Sequence, residues 1–149
     1  MQLTQHTDFG LRLLIVLARR EGRAVALPAF AAEQGLSYNH VAKVAQKLSR
    51  AGFITSQRGR NGGVALAGSP EELSIGEVVR ILEPGMRLAD CGHCALRFDC
   101  ATSGVLNEAL AAFIAVLDRT TLAQAASRVP TRFVAALDGS PAVELSAKH

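Results

Sequence analysis

The chain has 149 residues, of which 49% are hydrophobic and 19% are charged, so it can bury the core of one domain. No apolar run reaches the roughly 20 residues of a membrane span and the N-terminus lacks the pattern of a signal peptide, so we expect a cytoplasmic protein without membrane contact. The charge is unevenly distributed: residues 1–66 contain nine Lys/Arg and three Asp/Glu, and residues 67–149 contain seven and ten. This asymmetry favours a nucleic-acid-binding first part over a merely solvated basic surface.

The first predicted helix begins near two possible capping threonines, Thr4 and Thr7, and extends to about residue 20. Its apolar residues recur at helical spacing, and a Glu-Gly pair follows the last of them. Asp8 and Arg12 lie four residues apart and form an attractive pair on one face. The simplest interpretation of Asp8 is a first-turn acid that faces the helix dipole.

A helix-turn-helix is predicted next, from a short helix over residues 28–34 and a third helix over residues 38–51. Gly35 separates the two helices, and Ser37 is the predicted N-cap of the second one. Some helix-turn-helix proteins bind no DNA, but here the exposed face is polar and cationic, which favours DNA. The residues predicted to face DNA are Ser37, Tyr38, Asn39, His40, Lys43, Lys47 and Arg50.

Two short strands, over residues 53–57 and 64–67, are predicted to form a hairpin directly after the third helix. The Asn-Gly and Gly-Gly pairs between them are typical of hairpin turns. A basic hairpin in this position is a wing, which lays arginines along phosphates or into a minor groove. The segment lacks the context of a phosphate-binding loop, so we exclude that use. The wing residues predicted to contact DNA are Arg58, Arg60, Asn61, Gly62 and Gly63.

A loop over residues 84–102 follows a fourth helix, which is predicted to start at its cap Ser74 and to end at Glu83. All three cysteines lie in this loop with C-x2-C-x5-C spacing, as Cys91, Cys94 and Cys100. Soft thiolates select zinc, copper(I) or iron–sulfur clusters, and three of them leave a fourth ligand position open.

The loop alone does not decide between these metal centres. A zinc site of three cysteines and one histidine, completed by His93 or His6, fits as well as an iron–sulfur site. Three unrelated thiols are a further alternative. An enzyme with a cysteine nucleophile is disfavoured because no acid–base constellation accompanies the cysteines.

The longest predicted helix covers residues 103–126 and carries a wide apolar band. We expect a second copy to cover this band, which predicts a homodimer. The predicted fold is mainly α with a small β-hairpin wing. It comprises a winged helix-turn-helix DNA-binding domain (1–83), the cysteine loop (84–102), a dimerisation helix (103–130) and a partly mobile tail (131–149) with a helical turn at 133–137.

The order of these elements resembles the family of iron–sulfur transcription regulators that includes IscR, RirA and NsrR. The opening Thr-Asp-Phe-Gly-Leu-Arg (7–12) is most similar to the nitric-oxide-sensing NsrR repressors, and residues 48–53, 58–64 and 74–79 also match. The resemblance covers about residues 1–126. It implies a non-enzymatic, cytoplasmic homodimer that represses transcription from a palindromic double-stranded DNA operator.

The resemblance also implies a cofactor and a set of ligands. Cys91, Cys94 and Cys100 would hold an iron–sulfur cluster, [4Fe-4S] in preference to [2Fe-2S], and Asp8 from the other subunit would be the fourth ligand. Arg12 would relay the state of Asp8 to the DNA-binding helices. The first two cysteines are closer together than is usual in the family, so His93 could take part. A sensor of iron or cluster status and a zinc-stabilised DNA-binding protein remain alternatives.

Overall fold

The computed structural model describes residues 2–59, 62–96 and 98–127, and within them places six α-helices and one antiparallel hairpin. The predicted mainly helical class with a small hairpin is thereby confirmed. The predicted tail and its helical turn lie outside the described residues. The elements are α1 (Gln5–Ala18), α2 (Leu27–Glu33), α3 (Tyr38–Arg50), β1 (Ile54–Gln57), β2 (Gly63–Leu66), α4 (Ile75–Leu82), α5 (Ala101–Asp118) and α6 (Leu122–Ala126).

Helix α1 lies at the centre of the fold and packs against α3, α4 and α6. Thr4 caps it as predicted, because its hydroxyl accepts a hydrogen bond from the backbone N–H of Thr7. Glu21 and Gly22 have positive φ angles, which turn the chain away after the helix. The apolar stripe of α1 is buried and consists of Phe9, Leu13, Leu14, Val16 and Leu17.

Gly10 allows α1 and α4 to approach each other closely. A Cβ atom at this position would overlap Leu82 Cδ1 and would lie 3.2 Å from Val44 Cγ1. We expect Gly10→Ala to lower the free energy of unfolding by about 1 kcal/mol, because an overpacking cost of about 1–3 kcal/mol outweighs a helix-propensity gain of about 1 kcal/mol. Urea denaturation measures this change.

Gly104→Ala is the matched control for this prediction. Gly104 lies in α5 on the face that carries Glu108, and a Cβ there meets nothing within 4 Å. The control should therefore gain stability by about 1 kcal/mol. Equal gains in both variants would contradict the close approach of α1 and α4.

The helix-turn-helix forms as predicted from α2 and α3. Gly35, in the turn between them, has a φ angle of 64°, a conformation that favours glycine. Ser37 occupies the N-cap position of α3, but its side chain makes no capping hydrogen bond. The stripe that fixes α3 against the core consists of Val41, Val44, Ala45 and Leu48.

The wing is joined to the rest of the domain through its second strand. Strand β1 pairs with β2 so that Ile54 lies opposite Leu66. Val25, just before α2, exchanges two backbone hydrogen bonds of 2.8 and 2.9 Å with Val64. A Cβ at Gly63 would overlap the backbone of Val25. The base of the wing is therefore held against the segment that leads into the helix-turn-helix.

The prediction of one continuous helix over residues 103–126 was wrong. Helix α5 ends at Asp118, and α6 begins after a new N-cap at Thr121, which forms a capping box with Gln124. Leu122 is fully buried and belongs to the core around α1. Ala123, Ala125 and Ala126 suit a continued helix, so helix propensity did not reveal that α6 returns to the winged domain.

Candidate functional site

The outer face of α3 combines exposed polar and basic side chains. Tyr38 is 50% exposed, and its neighbours on this face are also accessible to solvent. Residues 37–60, which comprise α3 and most of the wing, contain five basic residues and no acidic residue, so this segment carries net positive charge. The structure brings together five of the residues predicted to face DNA in one exposed group: Tyr38, Asn39, His40, Lys43 and Arg50.

Lys47 differs from the other predicted DNA-facing residues. Its Nζ donates a hydrogen bond of 3.3 Å to the carbonyl oxygen of Leu82, at the C-terminus of α4. Unpaired carbonyls at a helix C-terminus attract a cation, so this contact ties α3 to α4. A phosphate contact by Lys47 would have to compete with this bond.

The wing places its predicted residues in two different situations. Arg58 follows β1 and is exposed, as a phosphate-contacting residue must be. The backbone N–H of Gly62 donates a hydrogen bond of 2.9 Å to the carbonyl of Gly59, which closes the turn, and Gly63 is required by the approach of Val25. Arg60 and Asn61 lie outside the described residues, and their contacts remain predictions.

Within the cysteine loop, a short 3-10 turn covers Cys91–His93, and Cys100 is the N-cap of α5. The three thiols are half-buried and none forms a disulfide. Among the residues that the structure describes, no three His, Cys, Asp or Glu side chains are grouped so that they could hold one metal ion. The proposed ligands therefore remain predictions as a set, although three thiols in one loop are the donors that a soft metal centre requires.

The two histidines weighed as zinc ligands lie in different places. His93 Nδ1 lies 3.0 Å from Asp90 Oδ2 within the loop. His6 lies near the junction of α1, α3 and α4, where burial and the charge of Lys47 lower its pKa.

Asp8 and Arg12 form the predicted pair on the surface of α1. Arg12 Nε donates to Asp8 Oδ1 at 3.0 Å, and Arg12 Nη2 lies 2.7 Å from Asp8 Oδ2. Both side chains are close to half exposed, so a second subunit can reach the carboxylate. The next residue, Phe9, packs its ring against that of His40 in α3, with 6.5 Å between ring centroids.

Sequence reasoning missed the role of Glu83 at the end of α4. Its Oε1 accepts hydrogen bonds from the backbone N–H of Thr4 (2.6 Å), the Thr4 hydroxyl (2.7 Å) and the Thr7 hydroxyl (2.7 Å). Burial raises the pKa of the Glu83 carboxyl, but the hydrogen bonds from Thr4 and Thr7 outweigh burial and lower it overall. No local signal announces these contacts, since Glu83 followed by Pro-Gly has the pattern of an ordinary helix end.

Helix α5 has no buried residue within the protomer and exposes apolar side chains such as Val105 and Val116. By length and mean hydropathy alone it could cross a membrane, contrary to the expectation that no segment would qualify. A helix that packs against a second copy has the same properties, so this criterion is weak evidence for a membrane span.

Comparison with known proteins identifies relatives that cover most of the chain. Residues 3–128 match the family described as Rrf2, iron-dependent transcriptional regulator. The HTH-type transcriptional regulator NsrR of Shouchella clausii is 42% identical over 128 residues, which are 82% of this chain and 86% of that protein. The protein of the same name from Bacillus subtilis is 41% identical over 82% of this chain and 88% of its own length.

Solved structures show the same architecture. The oxidized form of CymR from Staphylococcus aureus superposes with a TM-score of 0.73 at 32% identity, over 88% of this chain and all of that one. IscR from T. potens gives a TM-score of 0.69 at 28% identity, over 84% of this chain and 85% of the other.

Proposed function

Because the chain belongs to the Rrf2 family of iron-dependent transcriptional regulators, we propose that it is a homodimeric repressor that senses nitric oxide through an iron–sulfur cluster. It is a transcriptional regulator and not an enzyme, as its relatives and structural neighbours are. The observation that carries the proposal is the presence of three unpaired thiols in one loop of a chain that also displays a basic outer face on α3, the proposed recognition helix.

The recognition helix and the wing divide the DNA contacts between them. Tyr38, Asn39, His40 and Lys43 each face a base edge or a nearby phosphate in the major groove, while Arg50, Arg58, Arg60 and, in part, Lys47 hold the backbone. A dimer reads two half-sites about 34–36 Å apart, so the operator is palindromic and the two recognition helices must keep a fixed separation.

Cys91, Cys94 and Cys100, together with Asp8 of the partner subunit, are the proposed ligands of a cluster, preferably [4Fe-4S]. The cluster would supply the iron atoms with which nitric oxide reacts. A carboxylate is a harder and weaker ligand for such iron than a thiolate, so Asp8 is the ligand most readily given up. Arg12 then remains as the partner of the Asp8 carboxylate.

The position of Asp8 in α1 explains how its release reaches DNA. Phe9 follows it directly and contacts His40 on the DNA-facing side of α3. A shift in the first turn of α1 therefore displaces a residue of the recognition helix. A coupling of about 1–3 kcal/mol, or about 5–150-fold in affinity, is sufficient for regulation.

Anaerobically purified protein should lose about 5–150-fold in operator affinity on exposure to nitric oxide, and should keep its affinity during a short exposure to an iron chelator. Operator titrations followed by fluorescence anisotropy measure both responses, and iron and sulfide are counted per chain. The reverse order of sensitivity would favour a sensor of iron or cluster status. A colourless preparation with stoichiometric zinc would favour the zinc-stabilised alternative.

A further inference from the structure

The Glu83 carboxylate fixes the first turn of α1 to the end of α4. A single oxygen accepts three hydrogen bonds of 2.6–2.7 Å, one of them from Thr7, which is fully buried. Hydrogen bonds to a charged acceptor are roughly twice as strong as neutral ones. The turn that contains Asp8 is therefore bonded to the end of α4 through the side chain of Glu83.

The hydrogen bond between Thr7 and Glu83 joins two segments of the chain, and each segment leads to a different part of the proposed cluster site. Asp8 directly follows Thr7. In the second segment, Pro84 begins the cysteine loop immediately after Glu83, and residues 84–90 lead to Cys91. Met86 packs against the core, so the base of the loop is held as well. Glu83 thus connects the turn that presents Asp8 to the base of the loop that presents the thiols of the same chain.

In the proposed dimer, these two parts of one chain serve different sites, since Asp8 reaches the loop of the other subunit. We propose that Glu83 is a positioning residue that couples the two cluster sites, so that filling one site strengthens the other. This inference rests on the proposed function. When Asp8 of one chain is released from the cluster of the other subunit, the first turn of its α1 would loosen. Through Glu83, the base of that chain's own cysteine loop would loosen as well. Linkage makes the effect reciprocal, so the two sites fill and empty together.

Native mass spectrometry of partly loaded dimers tests this coupling directly, because it counts dimers with two, one and no clusters. Independent sites at half occupancy leave about half of the dimers with one cluster, whereas a coupling of about fivefold leaves about a third or fewer. We expect the parent to show the lower fraction and Glu83→Ala to return it to about half. Glu83→Gln, whose neutral amide oxygen accepts weaker hydrogen bonds, should give a fraction between those of the parent and Glu83→Ala.

Glu77→Ala is the matched control, because Glu77 lies in the same helix and also accepts hydrogen bonds from a hydroxyl and a backbone N–H, both of Ser74. Glu77 is remote from α1, so the Glu77→Ala variant should show the same fractions of dimers with two, one and no clusters as the parent. A second readout needs no cluster: amide exchange at Thr4 in cluster-free protein should be faster in Glu83→Ala and unchanged in Glu77→Ala.

Three outcomes would overturn the inference. They are a parent with independent sites, a Glu83→Ala distribution like that of the parent, and an equal change in Glu77→Ala. If Glu83→Ala does not fold, Glu83→Gln decides by the same count, because a distribution identical to that of the parent would refute the role of the charged acceptor. A parent that takes up no cluster would refute the proposed function together with this inference, whereas independent loading with intact nitric oxide sensitivity would refute the inference alone.

Discussion

Replacing Cys94 with alanine is expected to abolish cluster binding and to lower operator affinity by about 5–150-fold. Two thiolates and a carboxylate cannot hold a cluster that needs three thiolates. The fold should survive, because Cys94 is only half-buried and lies outside the core. Iron and sulfide content per chain, operator titration and thermal unfolding together measure the result.

His93→Ala is the matched control, since His93 lies next to Cys94 and its side chain is 88% exposed. It should keep the iron and the operator affinity of the parent. Loss of metal in His93→Ala as complete as in Cys94→Ala would favour a site of three cysteines and one histidine instead. If Cys94→Ala and Asp8→Ala both bound the operator as tightly as the parent, the proposed link between the ligands and DNA would be refuted.

The double variant Lys43→Ala, Arg58→Ala should weaken binding to every DNA sequence. Each phosphate contact contributes about 0.9 to the slope of log affinity against log salt concentration. Removing two contacts should lower the magnitude of the slope by about 1.8 and the affinity at about 0.15 M salt by about thirtyfold. Titrations of operator and unrelated DNA at several salt concentrations measure both quantities.

Arg87→Ala, Arg119→Ala removes the same net charge from exposed positions outside the α3 and wing surface. This control should leave the slope unchanged. If it lowered the slope as much as the Lys43 and Arg58 variant does, the binding would reflect total charge and not this surface. A loss confined to the operator would instead indicate that Lys43 or Arg58 reads bases.

Local signals in the sequence were sufficient for most of the elements. Thr4 and Ser74 start helices as predicted because a hydroxyl followed by apolar residues at helical spacing is a short-range pattern. The wing follows in the same way from its glycine pairs. The break between α5 and α6 was missed because Ala123, Ala125 and Ala126 suit a continued helix. Leu122 lies off the apolar seam of α5 and is buried in the core around α1.

The site was predictable only where its chemistry is local in the sequence. The exposed cations of α3 and the pair of Asp8 and Arg12 could be inferred from spacing. The bond from Lys47 to Leu82 joins residues 35 positions apart, and that from Thr4 to Glu83 spans 79. Such contacts depend on how helices pack, which no pattern within one helix specifies.

The bonds between Val25 and Val64 have a consequence for the operator. They attach the base of the wing to the segment before α2, so the base keeps a fixed position beside the helix-turn-helix. In the proposed complex, the wing and α3 would then meet the DNA as one unit. Misfit between protein and operator must then be relieved by bending or unwinding the double helix. We expect preferred operators to place easily kinked pyrimidine–purine steps between the contacted bases, at positions that no side chain touches.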